Sequence, residues 1–437
     1  MAAVMALVFT ILVILRLDIL TAMIVVVIHL YADWYLGLHL IAPLLAIMLL
    51  IAYYLTRSTR HPWVQLRCFW LWGLFLGFTI YPAIRGGLVM TYDAASFYPS
   101  DIMGALLMYW IGSLIVYDKW RLRFFFFLFS CLASLLALHT LYQNFTGTIL
   151  FASSKVAVFL SQSDVAYYQM SGTNVQRTGS FFIDPNWNGA FLAMAFFLPT
   201  GLFISETNCW RKLCALLMMT VILLALMCTY STGAWVAFLF GIGVLCLFSG
   251  KMLYCIALPI ASFCVAVLLA TLFPSQIALQ MRHISANNEL SLRIATWQTA
   301  LRVIRAHPWD GVGLGHQIYL IQSNIYRVPA QFVMLSHPHD SYLEWAAMAG
   351  IPVAGIFISL LIATLWLAYR NWRCFRGASR TLIGSGIAAM VTLSINSISI
   401  NGWTHFALAM MAWLILGAIS SPLLCTKDGS TDTQESE

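Results

Sequence analysis

Charge is what this chain has least of. Only 9% of its 437 residues are Asp, Glu, Lys or Arg, whereas 61% are hydrophobic; a soluble domain is about a quarter charged. A protein built for water is excluded, and apolar runs of roughly 20 residues identify a polytopic membrane protein instead. Acids are scarcer than bases, 16 against 23, but the resulting +7 is scattered over the loops, so nucleic acid is not an expected partner. The ten cysteines avoid residues 86–99, 144–187 and 274–350 altogether, and no disulfide framework is implied. The N-terminus has no n-region charge and no small-residue cleavage site, and reads as a retained first span. Asp93 and Asp101 stand isolated and no acidic cluster has metal-ligand spacing, so neither a metal nor another cofactor is expected.

The hydrophobic runs predict an all-α fold, a polytopic transmembrane helix bundle of about 12 spans. The first lies within residues 3–30, where Arg16 and Asp18 allow one span or two; the others fall at 35–55, 64–81, 100–117, 124–143, 188–205, 213–229, 233–248, 253–273, 343–369, 381–400 and 403–420. Short basic loops alternate with these spans: Arg57, Arg60 and Arg67; Lys119, Arg121 and Arg123; Arg211 and Lys212; Lys251; Arg370, Arg373, Arg376 and Arg380. The positive-inside tendency places them, and both termini, in the cytoplasm. Residues 82–99, 144–187 and 274–340 then lie on the opposite face. The division expected is N-terminal spans over 1–143, an outer segment over 144–187, central spans over 188–273, a large outer loop carrying the site over 274–340, C-terminal spans over 341–425, and a disordered acidic tail over 426–437.

The long outer loop breaks the charge rule. Ahead of its HPHD turn it holds Arg282, Arg293, Arg302, Arg305 and Arg327 against Glu289 and Asp310, and no lysine. Residues 291–306 form a helix ended by Pro308, on which Arg302 lies about 180° and Arg305 about 120° from Arg293. The three cannot face one ligand. Arg293 shares its face with Trp297 and Ala300, where a cation is costly unless paired; contact with lipid head groups is the plainer reading of all three. GVGLG, at 311–315, is a packing turn rather than a phosphate loop, because it lacks the preceding strand and following helix that give a dinucleotide fingerprint meaning. In HPHDSYLEWAAMAG, Ser341 and Glu344 form a capping box, so a helix begins near Ser341 and breaks at Gly350 and Pro352. His339 is then set before a helix N-terminus, whose partial positive charge disfavours imidazolium and leaves a ring able to accept a proton. His337 is the less favoured of the pair. In the other outer loop, Asp184, Pro185 and Asn186 turn the chain into the next span behind a lone Arg177, and Ser231, Thr232 and Gly233 of YSTGAW form a packing hairpin.

In combination, R-T-G-S-F with D-P-N-W-N, S-T-G-A-W, S-L-R-I-A-T-W with H-P-W-D-G-V-G-L-G, and H-D-S-Y-L-E with A-G-I-P-V-A-G resemble the O-antigen ligase and polymerase superfamily of bacterial inner-membrane proteins. The resemblance covers about residues 170–370. It implies a metal-independent, inverting glycosyltransferase that moves a glycan from undecaprenyl diphosphate, on the periplasmic face, to lipid A core, a growing glycan chain or a protein. Arg177 and Arg293 match the family's outer-loop arginines, which implies diphosphate binding, and His339 matches its histidine, which implies the catalytic base. Asn186, Trp297, Asp340 and Glu344 are candidate supporting residues; Asp340 departs from the family's usual asparagine. Guanidinium groups suit that ligand because they stay charged and bind phosphate oxygens in pairs.

The rival class is a transporter or flippase for an anionic lipid or a polysaccharide. Such proteins carry ionisable residues at the bilayer midplane, whereas Asp101, Asp118, Glu206 and Glu344 fall near span ends. Membrane lipids are partners on either reading.

Overall fold

Apolar runs become helices here between polar punctuation marks, and most boundaries coincide with a cap. The computed structural model describes Val8 and residues 10–36, 40–56, 67–147, 168–169, 176–249, 288–331 and 335–426. Apart from an antiparallel pair of two-residue strands, Tyr168–Gln169 with Gln176–Arg177, the regular structure described is helical. Among the described residues, six helices are long and apolar enough to cross a membrane: Lys119–Thr146, Pro185–Ser205, Cys209–Cys228, Thr232–Ser249, Ile351–Cys374 and Gly377–Asn396. Shorter apolar helices cover Asp18–Ile28, Ile41–Thr56 and Phe406–Ser420. Leu55, Leu135 and Leu247 all stand exposed on such helices, a surface that favours lipid over water. This is a multi-pass membrane protein. The span expected at 253–273 and the tail beyond Thr426 lie outside the described residues.

Four expected helices are interrupted, the span expected over 188–205 dividing at Phe196 into Pro185–Ala195 and Phe197–Ser205. Arg16 adopts a left-handed φ of 60°, so the first block breaks just before the helix Asp18–Leu36. The span expected from residue 100 begins as a π-helical turn, Tyr98–Met103, before the regular helix Gly104–Ile115. Gly350, at φ 90°, divides the span expected over 343–369 into Ser341–Ala349 and Ile351–Cys374.

The chain forms two compact units. The first comprises residues 1–128, 292–379 and 397–437. Its centre is a group of buried rings in which Trp72 and Trp403 lie 4.9 and 5.3 Å from Trp413, and Trp345 lies 5.5 Å from Phe357. Helices Gly104–Ile115 and Phe406–Ser420 touch backbone to backbone, since a Cβ on Gly112 would come within 2.3 Å of the Leu414 carbonyl oxygen and one on Gly417 within 2.1 Å of that of Tyr109. Small residues permit that approach where lipid supplies no hydrophobic drive. Asp18, an interruption in the first apolar block, meets the buried guanidinium of Arg121. Arg121 is therefore half of an internal ion pair and not merely a loop cation.

The second unit comprises residues 129–291 and 380–396. Glycine again sets its packing. Gly189 faces Ser231, Gly201 faces Ser385, and Gly241 faces Thr392 and Phe197, each with a hypothetical Cβ inside 3 Å of its neighbour. Ser231 is buried, as expected of a packing hairpin between the helices ending at Cys228 and starting at Thr232.

Candidate active site

Helix Asn288–Ala306 forms as its periodicity predicts, with Ala295, Thr296, Thr299, Ala300 and Val303 buried. Arg302 and Arg305 are exposed and Arg293 is half-buried, which matches the face argument. Trp297 is half-buried, and its indole Nε1 is buried without a hydrogen-bond partner among the described residues. One turn along from Arg293, the Thr296 hydroxyl donates to the Arg293 carbonyl at 2.8 Å and reaches the Pro338 carbonyl at 3.4 Å. The arginine helix is thereby docked on the HPHD turn.

That turn is built differently from the expected capping box. The N-cap of helix Ser341–Ala349 is Asp340, whose Oδ1 accepts from the backbone amides of Tyr342 at 2.8 Å and Leu343 at 2.9 Å. Ser341 becomes the first helical residue, and its hydroxyl accepts from the Trp403 amide at 3.0 Å. Glu344 then stands one position too far along to reach back to a cap. It is fully buried, its Oε2 accepts from the Thr404 hydroxyl, and its Oε1 lies 3.0 Å from Nε2 of His316. Burial raises the Asp340 carboxyl to about 6, against the opposing effect of its two amide donors and with help from the charge of Glu344. His339, just ahead of the cap, is left-handed at φ 55°, a conformation that histidine tolerates better than most residues and that is common at functional sites.

His316 is the residue that sequence reasoning missed. It opens helix His316–Ser323 immediately after the glycine turn, where the sequence reading expects no helix to follow. Gly315 provides no capping side chain; Asp93 does so from another segment, its Oδ2 accepting from the amides of Gln317 at 2.9 Å and Ile318 at 3.0 Å. A Cβ on Gly315 would sit 2.2 Å from that oxygen, and one on Gly311 would strike the Met348 carbonyl at 2.3 Å. GVGLG is a packing turn whose last glycine admits a carboxylate. Burial depresses the His316 imidazole, but contact with Glu344 and the charges of Asp101 and Asp93 outweigh it and push the ring up to about 9. The His316 ring lies 6.2 Å from that of His337, which lies 4.5 Å from that of His339. His337 is held well below the ordinary histidine value by burial, then by the charges of His339, His316 and His405. His405, also missed, caps helix Phe406–Ser420 through Nδ1 to the Leu408 amide at 3.4 Å. Among the described residues, no group of three or more His, Cys, Asp or Glu side chains is arranged to hold a metal.

The first unit thus brings Arg293, Trp297, His339, Asp340 and Glu344 onto adjoining elements, with His316 among them. Residues 82–93 also join this unit's polar end: Arg85 pairs with Asp310 and donates to the Gly311 carbonyl at 2.5 Å, while His307 meets the Tyr326 hydroxyl at 2.9 Å.

Arg177 and Asn186 belong to the second unit. Arg177 is 2% exposed, donating from Nε to the Thr229 carbonyl at 3.0 Å and from Nη2 to Asn186 Oδ1 at 2.8 Å. Asp184 caps helix Pro185–Ala195 by accepting from the Asn186 amide at 2.6 Å. The arginine therefore ties its own loop, through Asn186, to the chain just ahead of the YSTGAW hairpin, and its burial could not be read from an apparently open polar loop.

Residues 214–358 match the sequence model of the O-antigen ligase family. The resemblance to the O-antigen ligase and polymerase superfamily is borne out over that stretch, which contains Arg293, His316, His339 and Glu344. A search of curated proteins finds none that matches. A chain from a solved structure described as "Structural coordination of polymerization and crosslinking by a peptidoglycan synthase complex" aligns with 84% of this chain and 100% of its own length, at 14% identity and a TM-score of 0.46. That likeness is too loose to carry an argument.

Proposed function

We propose that the protein is a glycosyltransferase that moves a glycan from an undecaprenyl diphosphate carrier to an acceptor hydroxyl on the periplasmic face of the bacterial inner membrane. The observation that carries this reading is the polar cluster around the HPHD turn, lying within the segment that matches the O-antigen ligase family. Such a family acts in surface glycan biosynthesis with lipid-linked glycans and their acceptors. Three partly buried histidines, a buried glutamate and a half-buried arginine on adjoining elements suit chemistry at the membrane surface better than passage through a bilayer.

The proposed step is a direct displacement. His339, unprotonated, takes the proton of the acceptor hydroxyl as its oxygen attacks the anomeric carbon. The bond from that carbon to the diphosphate oxygen breaks, and the electron pair leaves with undecaprenyl diphosphate. Arg293 pairs with the growing negative charge of the leaving group, an interaction stronger in the transition state than in the ground state. Asp340 holds the start of its helix and so the position of His339. Trp297, beside Arg293 on the same face, supports the donor site, and Arg177 with Asn186 maintains the second unit's loop. With no enzyme nucleophile the anomeric centre inverts, and no metal is required.

The test uses full-length protein in lipid nanodiscs with the host's extracted undecaprenyl-diphosphate glycan and its acceptor. Transfer with release of undecaprenyl diphosphate is expected, and a monophosphate-linked glycan should serve poorly. The same protein in sealed proteoliposomes supplies the contrary outcome: movement of the lipid-linked glycan across the bilayer without transfer would overturn the reading in favour of a transporter.

A further inference from the structure

The catalytic proposal leaves one buried group unused. Glu344 has no exposed surface; a carboxylate there is costly unless paired. Its partners are the Thr404 hydroxyl and His316, whose ring in turn lies 6.2 Å from that of His337 in the HPH turn. In spatial order the groups run Glu344, His316, His337, His339.

We infer that His316 is a positioning residue for the transfer proposed above, one that screens the HPH turn from the buried Glu344 carboxylate and so keeps His339 free to accept a proton. The argument is one of sign. A bare carboxylate behind His337 would draw a proton onto the turn, since an opposite charge nearby favours the charged form of an imidazole. With imidazolium at His316 the pair is neutral, and its near end is positive toward His337. Protonation of His337, and of His339 beyond it, is then disfavoured. Other charges act on the same place: Asp93 and Asp101 from the elements packed on His316, Asp340 beside His339, His405 beside His337, and Arg293 on the helix docked through Thr296. Tyr319, on the helix of His316, also feels Glu344, and burial keeps its phenol protonated. His316 is the group that meets Glu344 at 3.0 Å and also neighbours His337.

The inference rests on the role proposed for His339, but its test need not depend on transfer. Unprotonated imidazole reacts with diethyl pyrocarbonate, so the rate of His339 modification against pH, followed by peptide mass spectrometry on the full-length protein in nanodiscs, reports the protonation of that ring directly. In His316→Gln the midpoint should move upward by about one pH unit, the scale expected for exposing a ring to a nearby opposite charge. In the double variant His316→Gln/Glu344→Gln, with both charges gone, it should return toward the wild-type position. The acid limb of the transfer rate should move in parallel, with activity in His316→Gln recovering as pH rises. If His316→Gln leaves the modification midpoint in place, or lowers transfer equally at every pH, the screening role is wrong even where wild-type transfer stands. If wild-type transfer fails while the midpoint moves as described, the electrostatics hold and the assigned reaction falls. The double variant retains side chains of similar shape, and intact melting of either variant suffices to read the midpoint.

Discussion

Two helix starts in this protein are built on the same plan and serve different ends. Helix Pro185–Ala195 begins with Asp184 as N-cap and a residue of positive φ, Ile183 at 65°, before it. Helix Ser341–Ala349 begins with Asp340 as N-cap and left-handed His339 at φ 55° before it. At the first, the nearby cation Arg177 is buried and bonded to a carbonyl and an amide oxygen of its own unit. At the second, titratable groups meet one another: His316 with Glu344, His337 with His339. An aspartate cap behind a positive-φ residue therefore gives a structural tie where its polar groups are satisfied by uncharged partners, and a reactive arrangement where proton-exchanging groups are left to set one another's charge. Perturbed titration next to a specific charge partner distinguishes the second.

Substitution should separate the two starts. The largest effect is expected at His339: His339→Ala should lower transfer about 10²- to 10⁴-fold, the range for losing a positioned base, with thermal melting little changed, while His337→Ala should cost much less. Arg293→Lys keeps the charge but loses the guanidinium fork; losing one charge-assisted hydrogen bond of about 1.5–3 kcal/mol should lower kcat/KM about ten- to a hundredfold. Arg302→Lys, on the exposed face, should be nearly silent, and equal mild effects at both positions would return these arginines to lipid head groups. At the first start the loss should appear as stability instead. Arg177→Lys cannot hold both the Thr229 carbonyl and Asn186, and should cost about 1–3 kcal/mol, seen as a lower melting temperature before any change in the chemical step.

The smallest effect concerns the second cap itself. Asn caps helices about as well as Asp, so Asp340→Asn should preserve the fold and most of the transfer rate. It should nevertheless alter the pH dependence of stability. The Asp340 carboxyl is raised to about 6 in the folded protein, above its ordinary 3.8, so between those values the folded state binds more protons than the unfolded one. Its stabilising contribution is present at low pH and lost as pH rises toward about 6. Melting temperatures across that window should show this slope in wild-type protein and lose it in Asp340→Asn.

Much of this arrangement was legible in the sequence because it depends on period and punctuation. The helix carrying Arg293, the segregation of Arg302 and Arg305 to its other face, the break at Gly350 and the packing role of GVGLG all follow from local rules. Two adjacent candidates defeated the cap assignment: Ser341 fits a capping box with Glu344, but Asp340 is an equally good cap one position earlier, and taking it releases Glu344 into the interior. His316 and His405 could not be placed because they reach the HPH turn from separate segments, and convergence of that kind is tertiary. A signal was present all the same. A glutamate on the apolar side of YLEWAAMA requires a buried partner, and a histidine in the same polar interval was a candidate for it. Arg177 was opaque for the opposite reason, since nothing local shows that its loop folds back on the Thr229 carbonyl.

The central claim, a single displacement at the anomeric carbon with no covalent enzyme intermediate, is tested most directly by the configuration of the new linkage. Purified protein in nanodiscs would be given undecaprenyl-diphosphate glycan of known anomeric configuration, and the product linkage assigned by the one-bond C–H coupling at that carbon. The account predicts inversion; a product that retains the donor's configuration would contradict it.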